Sequence, residues 1–279
     1  NENWHELTWR GDVRGQRLTA WAAHAGFLLE GAEPTFRKKF LAAFARQSKH
    51  LGRAIKACPE GRARIGAILG MVTSSIALTG GGTALERAIQ HLRRELTAQI
   101  LPDGGHVSRS PSQHYAILAD LISIREALAS GGHAPPGELT GSINRLALAA
   151  RFFRHGDGSL ALFNSSNEIP TNAQGLDIDT ILAAAPTKEK IPASLNQTGY
   201  ERLTAAGTLV LVDMGGPPQP RFCDQAHAAP LAFEMSIGRE RLIVNCGAHR
   251  NPQWRMAGRS TAAHSTLTLA DTNAIELEE

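Results

Sequence analysis

Apolar residues recur three and four apart through the first half of this chain and every second residue in its last third. That change of period restricts the fold more than any other feature, because a helical stripe cannot serve as a strand face. Leu85, Ile89, Leu92, Leu96 and Ile100 step by four, three, four and four. Phe36, Phe40, Phe44, Leu51 and Ile55 give a second helix its apolar side. Arg17–Leu29 fits one further helix. Arg64–Leu78 fits another, mostly apolar and buried, ended by Gly80-Gly81-Gly82, with Thr83 capping the next. Pro111–Ser130 and Gly137–Phe153 complete the series, and short connections between long helices imply antiparallel neighbours. After His155 the texture changes. Gly156-Asp157-Gly158 breaks the helix, Leu160–Phe163 reads as a strand, Asn164–Gly175 as polar loop and Asp177–Ala185 as a short helix. Thr208–Val212, Leu242–Asn245 and Thr266–Leu269 read as strands. Leu231, Phe233, Met235 and Ile237 alternate with Ala232, Glu234 and Ser236, as a half-buried strand requires. The chain is thus expected to be α+β and multidomain: helices over 1–155, a linker with a short strand and helix over 156–197, and antiparallel β structure over 198–279.

Composition excludes several classes. The formal net charge is +3 over 279 residues, with no basic run or aromatic ladder, which argues against a nucleic-acid partner. No segment has the length and purity of a membrane span, so no membrane insertion is expected. Cys58, Cys223 and Cys246 are scattered, without a CxxC pair, and form neither a disulfide framework nor a zinc ribbon. Gly80-Gly81-Gly82 lacks the lysine of a phosphate loop, and neither HExxH nor GxSxG occurs. Oligomeric state is not readable.

The stretch Leu101–Tyr115, LPDGGHVSRSPSQHY, concentrates the chemistry. Asp103-Gly104-Gly105 is a turn. Ser110-Pro111 reads as an N-cap followed by proline at the first helical position. The loop delivers His106, Arg109 and His114 to the mouth of a helix, where sites are commonly built.

DGGH followed by RSP and a histidine resembles the segment entering a central helix in the heparinase II/III family of polysaccharide lyases. Ala226–Met235 (AHAAPLAFEM), Arg241–Gly247 (RLIVNCG) and Ala263–Leu269 (AHSTLTL) resemble that family's β domain, in the same order. The resemblance runs from about Trp9 onward. It implies an N-terminal α/α toroid, here partial, followed by the start of an antiparallel β-sandwich. Both ends look cut relative to the longer family members, so the chain reads as a fragment. The family also suggests a periplasmic or cell-envelope location.

The activity the resemblance implies is carbon–oxygen lyase chemistry: β-elimination on an acidic, uronate-containing polysaccharide, with no cofactor required. Such a site needs donors that neutralise the uronate carboxylate, a base and an acid. The family's Gly-Asn-His becomes Gly61-Arg62-Ala63, so a guanidinium stands where the asparagine would be. RSPMYH becomes RSPSQH, which puts Gln113 at the tyrosine position and keeps His114. Tyr115 lies two residues further on, a rotation of roughly 200° about a helix. In the third segment His227 is kept, and Ala229 replaces an aspartate that serves a structural divalent metal in relatives. The family's HNT becomes His264-Ser265-Thr266. These matches offer His106, His227 and Arg62 as catalytic candidates and Arg109, Gln113, His114 and Tyr115 as substrate contacts, with His227 and His264 as weak metal candidates. Each has a plainer reading: His106 as a helix cap or backbone partner, His227 as a histidine satisfied at a strand entrance, His114 as core, His264 as a strand-face residue, Arg62 as a solvated charge near a helix N-terminus, Arg109 as a surface ion pair, His50 as surface. Trp4, Trp9, Trp21 and Trp254 could stack on sugars or fill core and rim. Two other functions stay open. One is an acidic-glycan-binding relative without catalysis; the other is a glycoside hydrolase using Asp157 and Glu168.

Overall fold

A computed structural model of the protein describes residues 5–167, 177–223, 226–249 and 251–276; Trp4 and Glu168 lie outside them. Ten helices are described: α1 (Glu6–Trp9), α2 (Gly11–Ala23), α3 (Ala25–Leu29), α4 (Pro34–Ala54), α5 (Arg62–Ala77), α6 (Gly82–Gln99), α7 (Pro111–Ser130), α8 (Gly137–Phe152), α9 (Ile178–Ala184) and α10 (Pro252–Arg259). Five strands, β1 (Ser194–Leu195), β2 (Tyr200–Ala205), β3 (Thr208–Asp213), β4 (Phe233–Ile237) and β5 (Glu240–Ile243), form one antiparallel sheet in sequence order. The chain divides into two compact units, residues 1–98 with 120–140 and residues 99–119 with 141–279.

In the first unit α2 and α5 cross backbone to backbone. A Cβ on Gly15 would lie 2.3 Å from the Gly66 carbonyl oxygen, and one on Gly70 would lie 2.3 Å from the Gly15 Cα. Leu18, Leu51, Ile65, Ile68, Val72 and Leu92 fill the surrounding core. The single helix expected over Arg17–Leu29 is two, α2 and α3, parted at His24, where the helix-weakening Gly26 follows two residues later. Thr83 is not the cap of α6, which already begins at Gly82.

In the second unit the carboxy-terminal end of α8 packs on the sheet through Phe152, Phe153, Tyr200, Leu209 and Leu211. Tyr200 opens β2, and Asp177 caps α9 by accepting from the Asp179 and Thr180 amides. The alternation in β4 implies that Leu231, Phe233, Met235 and Ile237 face inward. The structure has the reverse: Ala232, Glu234 and Ser236 are buried, and Leu231 and Ile237 are 60% and 46% exposed. Leu211 pairs with Glu234 and Leu209 with Ser236, so the buried face of β3 continues into this polar face of β4. Leu231 itself lies before the strand at φ 60°. The strand expected at Leu160–Phe163 reduces to a single bridge between Leu160 and Arg154, because the Leu162 amide donates to Glu234 instead. Thr266–Leu269 forms no strand either. Leu267 and Leu269 are exposed and only Leu269 bridges, to Thr272, so an alternating pattern has no partner to pair with.

Candidate functional site

The loop that enters α7 is held down by its acidic turn. Asp103 accepts from the Gln197 and Thr198 amides and from the Thr198 hydroxyl. Gly104 has φ +87°, and a Cβ on Gly105 would lie 1.7 Å from Thr198 Oγ1, so both glycines are sterically required. This clamp draws His106 inside. Ser108 donates its amide to His106 Nδ1, and His106 Nε2 donates to the side-chain oxygen Oε1 of Gln99 at 3.0 Å. Burial pushes the His106 imidazole down to about 3. Both of its nitrogens are committed to the protein.

Arg109 follows at φ 55°. Its guanidinium donates to the carbonyls of Thr198, Gly199 and Gly216, pairs with Asp213, and lies 5.0 Å from the centre of the Tyr200 ring. Tyr200 donates its phenol hydrogen back to the Arg109 carbonyl at 2.6 Å. Asn164 donates to the Tyr200 oxygen at 2.9 Å and to Asp213 at 3.2 Å. Arg109 thus organises the loop rather than presenting a free guanidinium.

On the first turn of α7 the Ser112 amide donates to Ser166 Oγ, while the Ser112 hydroxyl has no partner. Gln113 is half-buried. His114 donates from Nε2 to the Leu146 carbonyl at 2.8 Å; burial pushes it down to about 4, against the pull of that carbonyl. Tyr115 donates to the Ala150 carbonyl, and burial pushes its phenol well above the usual range. Both residues are core.

The loop 164–166 joins this turn to His227. Asn164 and Ser165 both sit at positive φ, 36° and 57°, an arrangement that persists only where the surroundings enforce it. The Ser165 amide donates to His227 Nε2 at 3.2 Å, which puts the ring proton on Nδ1, and that atom has no hydrogen-bond partner. Burial, then His264 and Arg259, push His227 down to about 3. The His227 and His264 rings stack with centroids 4.4 Å apart. A buried polar chain continues from there. His264 faces Asn245 Oδ1, and Asn245 donates to Glu234 through its side chain at 3.0 Å and its backbone at 3.2 Å. Glu234 also takes the Leu162 amide at 2.9 Å and His155 Nε2 at 2.8 Å, and His155 Nδ1 meets Ser236.

The structural metal of the family does not fit here. His264 Nε2 donates to the Gly258 carbonyl, His227 Nε2 accepts from Ser165, and Ala229 brings no carboxylate. Among the described residues no three His, Cys, Asp or Glu side chains gather as a metal site requires. The three cysteines are free.

Gln113, His114, Tyr115, His106, Arg109, His227 and His264 all lie in the second unit. Arg62 belongs to the first, at the start of α5, where it pairs with Asp120 at 3.4 Å and keeps 40% of its side chain exposed. His50, expected as plain surface, is exposed yet bonds the buried Arg14 and stacks edge-on against Trp9. Sequence reasoning missed Asn164, Asp213, Tyr200, Glu234, Asn245 and His155. The readable signal was Glu234 and Ser236 in a strand whose opposite face is apolar, together with Asn164-Ser165 in a turn.

Residues 187–279 match the family described as Heparinase II/III-like, C-terminal. The chain is 31% identical over 274 residues to the FtsZ-localized protein C of Caulobacter vibrioides, covering 97% of this chain and 46% of that one. Among solved structures it is similar to a heparinase III (TM-score 0.78, 16% identity, 98% of this chain and 50% of that one). It is also similar to the heparan sulfate lyase HepC from Pedobacter heparinus (TM-score 0.64, 17% identity, 96% and 46%). The chain therefore spans about half the length of the proteins it matches. Among the described residues no helix is long and apolar enough to cross a membrane. Residues 187–279 thus match the Heparinase II/III-like, C-terminal family, and along nearly its whole length the chain has the fold of heparinase III, helices of an α/α toroid followed by antiparallel strands of a β-sandwich.

Proposed function

We propose that the protein holds an acidic, uronate-bearing glycan and that the residues of this chain do so without eliminating it. One observation carries the reading: the side chains that could move a proton are already spent. His106 has both ring nitrogens bonded, Tyr115 and Tyr200 donate to carbonyls, Gln113 is no base, and the one lone pair of neutral His227 accepts from Ser165. What remains with a path to solvent are the half-buried Gln113 amide and, on its own unit, the half-exposed Arg62 guanidinium; the unpaired His227 Nδ1–H is itself buried. Donors suit an anion that is held rather than one that is deprotonated. Similarity to a protein named for its localisation with FtsZ, not for glycan chemistry, favours a binding role as well.

The second reading is β-elimination, favoured by the match of residues 187–279 to the Heparinase II/III-like, C-terminal family. The experiment that separates them passes the purified protein over immobilised heparan sulfate, alginate and a neutral glucan, and follows the same soluble glycans for ultraviolet absorbance of an unsaturated uronate. Retention on an acidic matrix with flat absorbance is expected. Rising absorbance overturns the binding reading in favour of elimination. Equal passage through all three matrices with flat absorbance overturns both.

A further inference from the structure

Away from the residues assigned to glycan contact, the second unit carries a cleft of about 610 Å³ between the carboxy-terminal end of α8, α9 and β2. Arg151, Arg154 and Arg202 line it, over a floor that includes Leu182, Pro186 and Ile191. A neighbouring hollow of about 340 Å³ shares Arg154 and Arg202. That volume lies within the range of small-ligand sites.

The donors of the three guanidiniums can be followed one by one. Arg151 spends Nη1 on the Ala147 carbonyl and Nη2 on those of Leu182 and Ala185. Arg154 spends Nε on the Gly158 carbonyl and Nη2 on Asp179 at 2.8 Å, a carboxylate whose side chain is 77% exposed. Arg202 spends Nη1 alone, on the carbonyls of Phe152 and Arg154, closing the end of α8. Among the described residues its Nε and Nη2, which form the side-on fork of a guanidinium, have no acceptor, and no carboxylate pairs with Arg151 or Arg202. A fork of that shape matches the two oxygens of a carboxylate or sulfate. Burial without a counter-charge also holds the Arg202 guanidinium below its usual range, as expected of a cation lacking its anion.

We propose that this cleft is an anion-binding site in which the side-on fork of Arg202, with Arg154 Nη1 beside it, takes a carboxylate or sulfate group of the kind an acidic sugar carries. Asp179 is then a competitor for Arg154, and its removal strengthens the site. The inference does not depend on glycan elimination or on the His227 region.

The test is calorimetric titration of the whole chain with sodium glucuronate, sodium sulfate, a heparan sulfate oligosaccharide and glucose, each against sodium chloride at matched ionic strength. Saturable binding of glucuronate or sulfate, and none of glucose, is expected. Arg202→Lys keeps the charge but loses the fork, and should weaken binding roughly tenfold or more. Asp179→Asn, at an exposed position, should tighten it several-fold. Binding of the oligosaccharide as well as the small anions marks a polymer site, and of the small anions alone a free-anion site; either supports the inference. Heats no different from chloride overturn it, and so does unchanged affinity in both variants. If Arg202→Lys does not fold, as judged by circular dichroism, Asp179→Asn decides alone, and unchanged affinity there overturns the proposal.

Discussion

Replacing Glu234 by alanine should unfold the second unit or nearly so, while replacing it by glutamine should not. The carboxylate is fully buried and accepts from the Leu162 amide (2.9 Å), the Asn245 amide (3.2 Å), Asn245 Nδ2 (3.0 Å) and His155 Nε2 (2.8 Å). Alanine leaves three N–H groups and an imidazole without acceptors. At about 1–3 kcal/mol for each orphaned buried donor, the loss is about 3–6 kcal/mol after some water enters the space. That is a large part of the ~5–15 kcal/mol that holds an ordinary domain together. Glutamine keeps one oxygen for Leu162 and Asn245 and turns its amide toward His155. The ring can then carry its proton on Nδ1, because Ser236 Oγ, 3.0 Å away, is able to accept it. The cost should be about 1 kcal/mol. Urea unfolding followed by circular dichroism, with an unchanged slope against denaturant, measures both variants. If Glu234→Ala and Glu234→Gln differ by less than about 1 kcal/mol, the carboxylate is not the hub described here and the reasoning fails.

Acid should weaken the fold from about pH 6.5 downward. His106, His114 and His227 are buried neutral, pushed down to about 3, 4 and 3. The unfolded chain therefore binds more protons than the folded one below the ordinary histidine value, and stability present above it is lost as pH falls toward those folded values. Between pH 6 and 5 the three together should remove roughly 3–4 kcal/mol, read as a falling urea midpoint; a flat midpoint would count against their burial. Gly15→Ala should cost about 1–3 kcal/mol in the same assay, since the new methyl meets the Gly66 carbonyl rather than a flexible side chain. Arg109→Lys should destabilise by about 2–4 kcal/mol, because one ammonium cannot reach three carbonyls and Asp213 together; wild-type stability would show that the guanidinium is not the loop's organiser.

Local chemistry was legible in the sequence, and long-range polar pairing was not. Ser110-Pro111 placed the start of α7 and Asp177 the start of α9, because caps act within three residues. The inverted face of β4 was hidden, because hydrophobic alternation assumes that charge faces water. Glu234 breaks that rule with four donors drawn from His155, Leu162 and Asn245, far apart in the chain. His106 was expected at an open mouth. It is inside because Asp103 clamps the loop to Gln197 and Thr198, more than ninety residues away. The family matches at Arg62, Gln113 and His227 could be found by motif, but whether their nitrogens were free depended on partners such as Ser165 and Asp120 that no motif contains.

The crossing of α2 on α5 has a consequence of its own. Gly15 fits against Gly66 and Gly70, which are one helical turn apart on α5. Sliding one rod along the other by a turn so that Ser74 took the place of Gly70 would push its side chain into room that only a hydrogen atom occupies now. A pair of helices joined through large interdigitating residues can slip and repack, but this one has a stop at Gly70. Its alignment is decided by two absent methyl groups, those of Gly15 and Gly70.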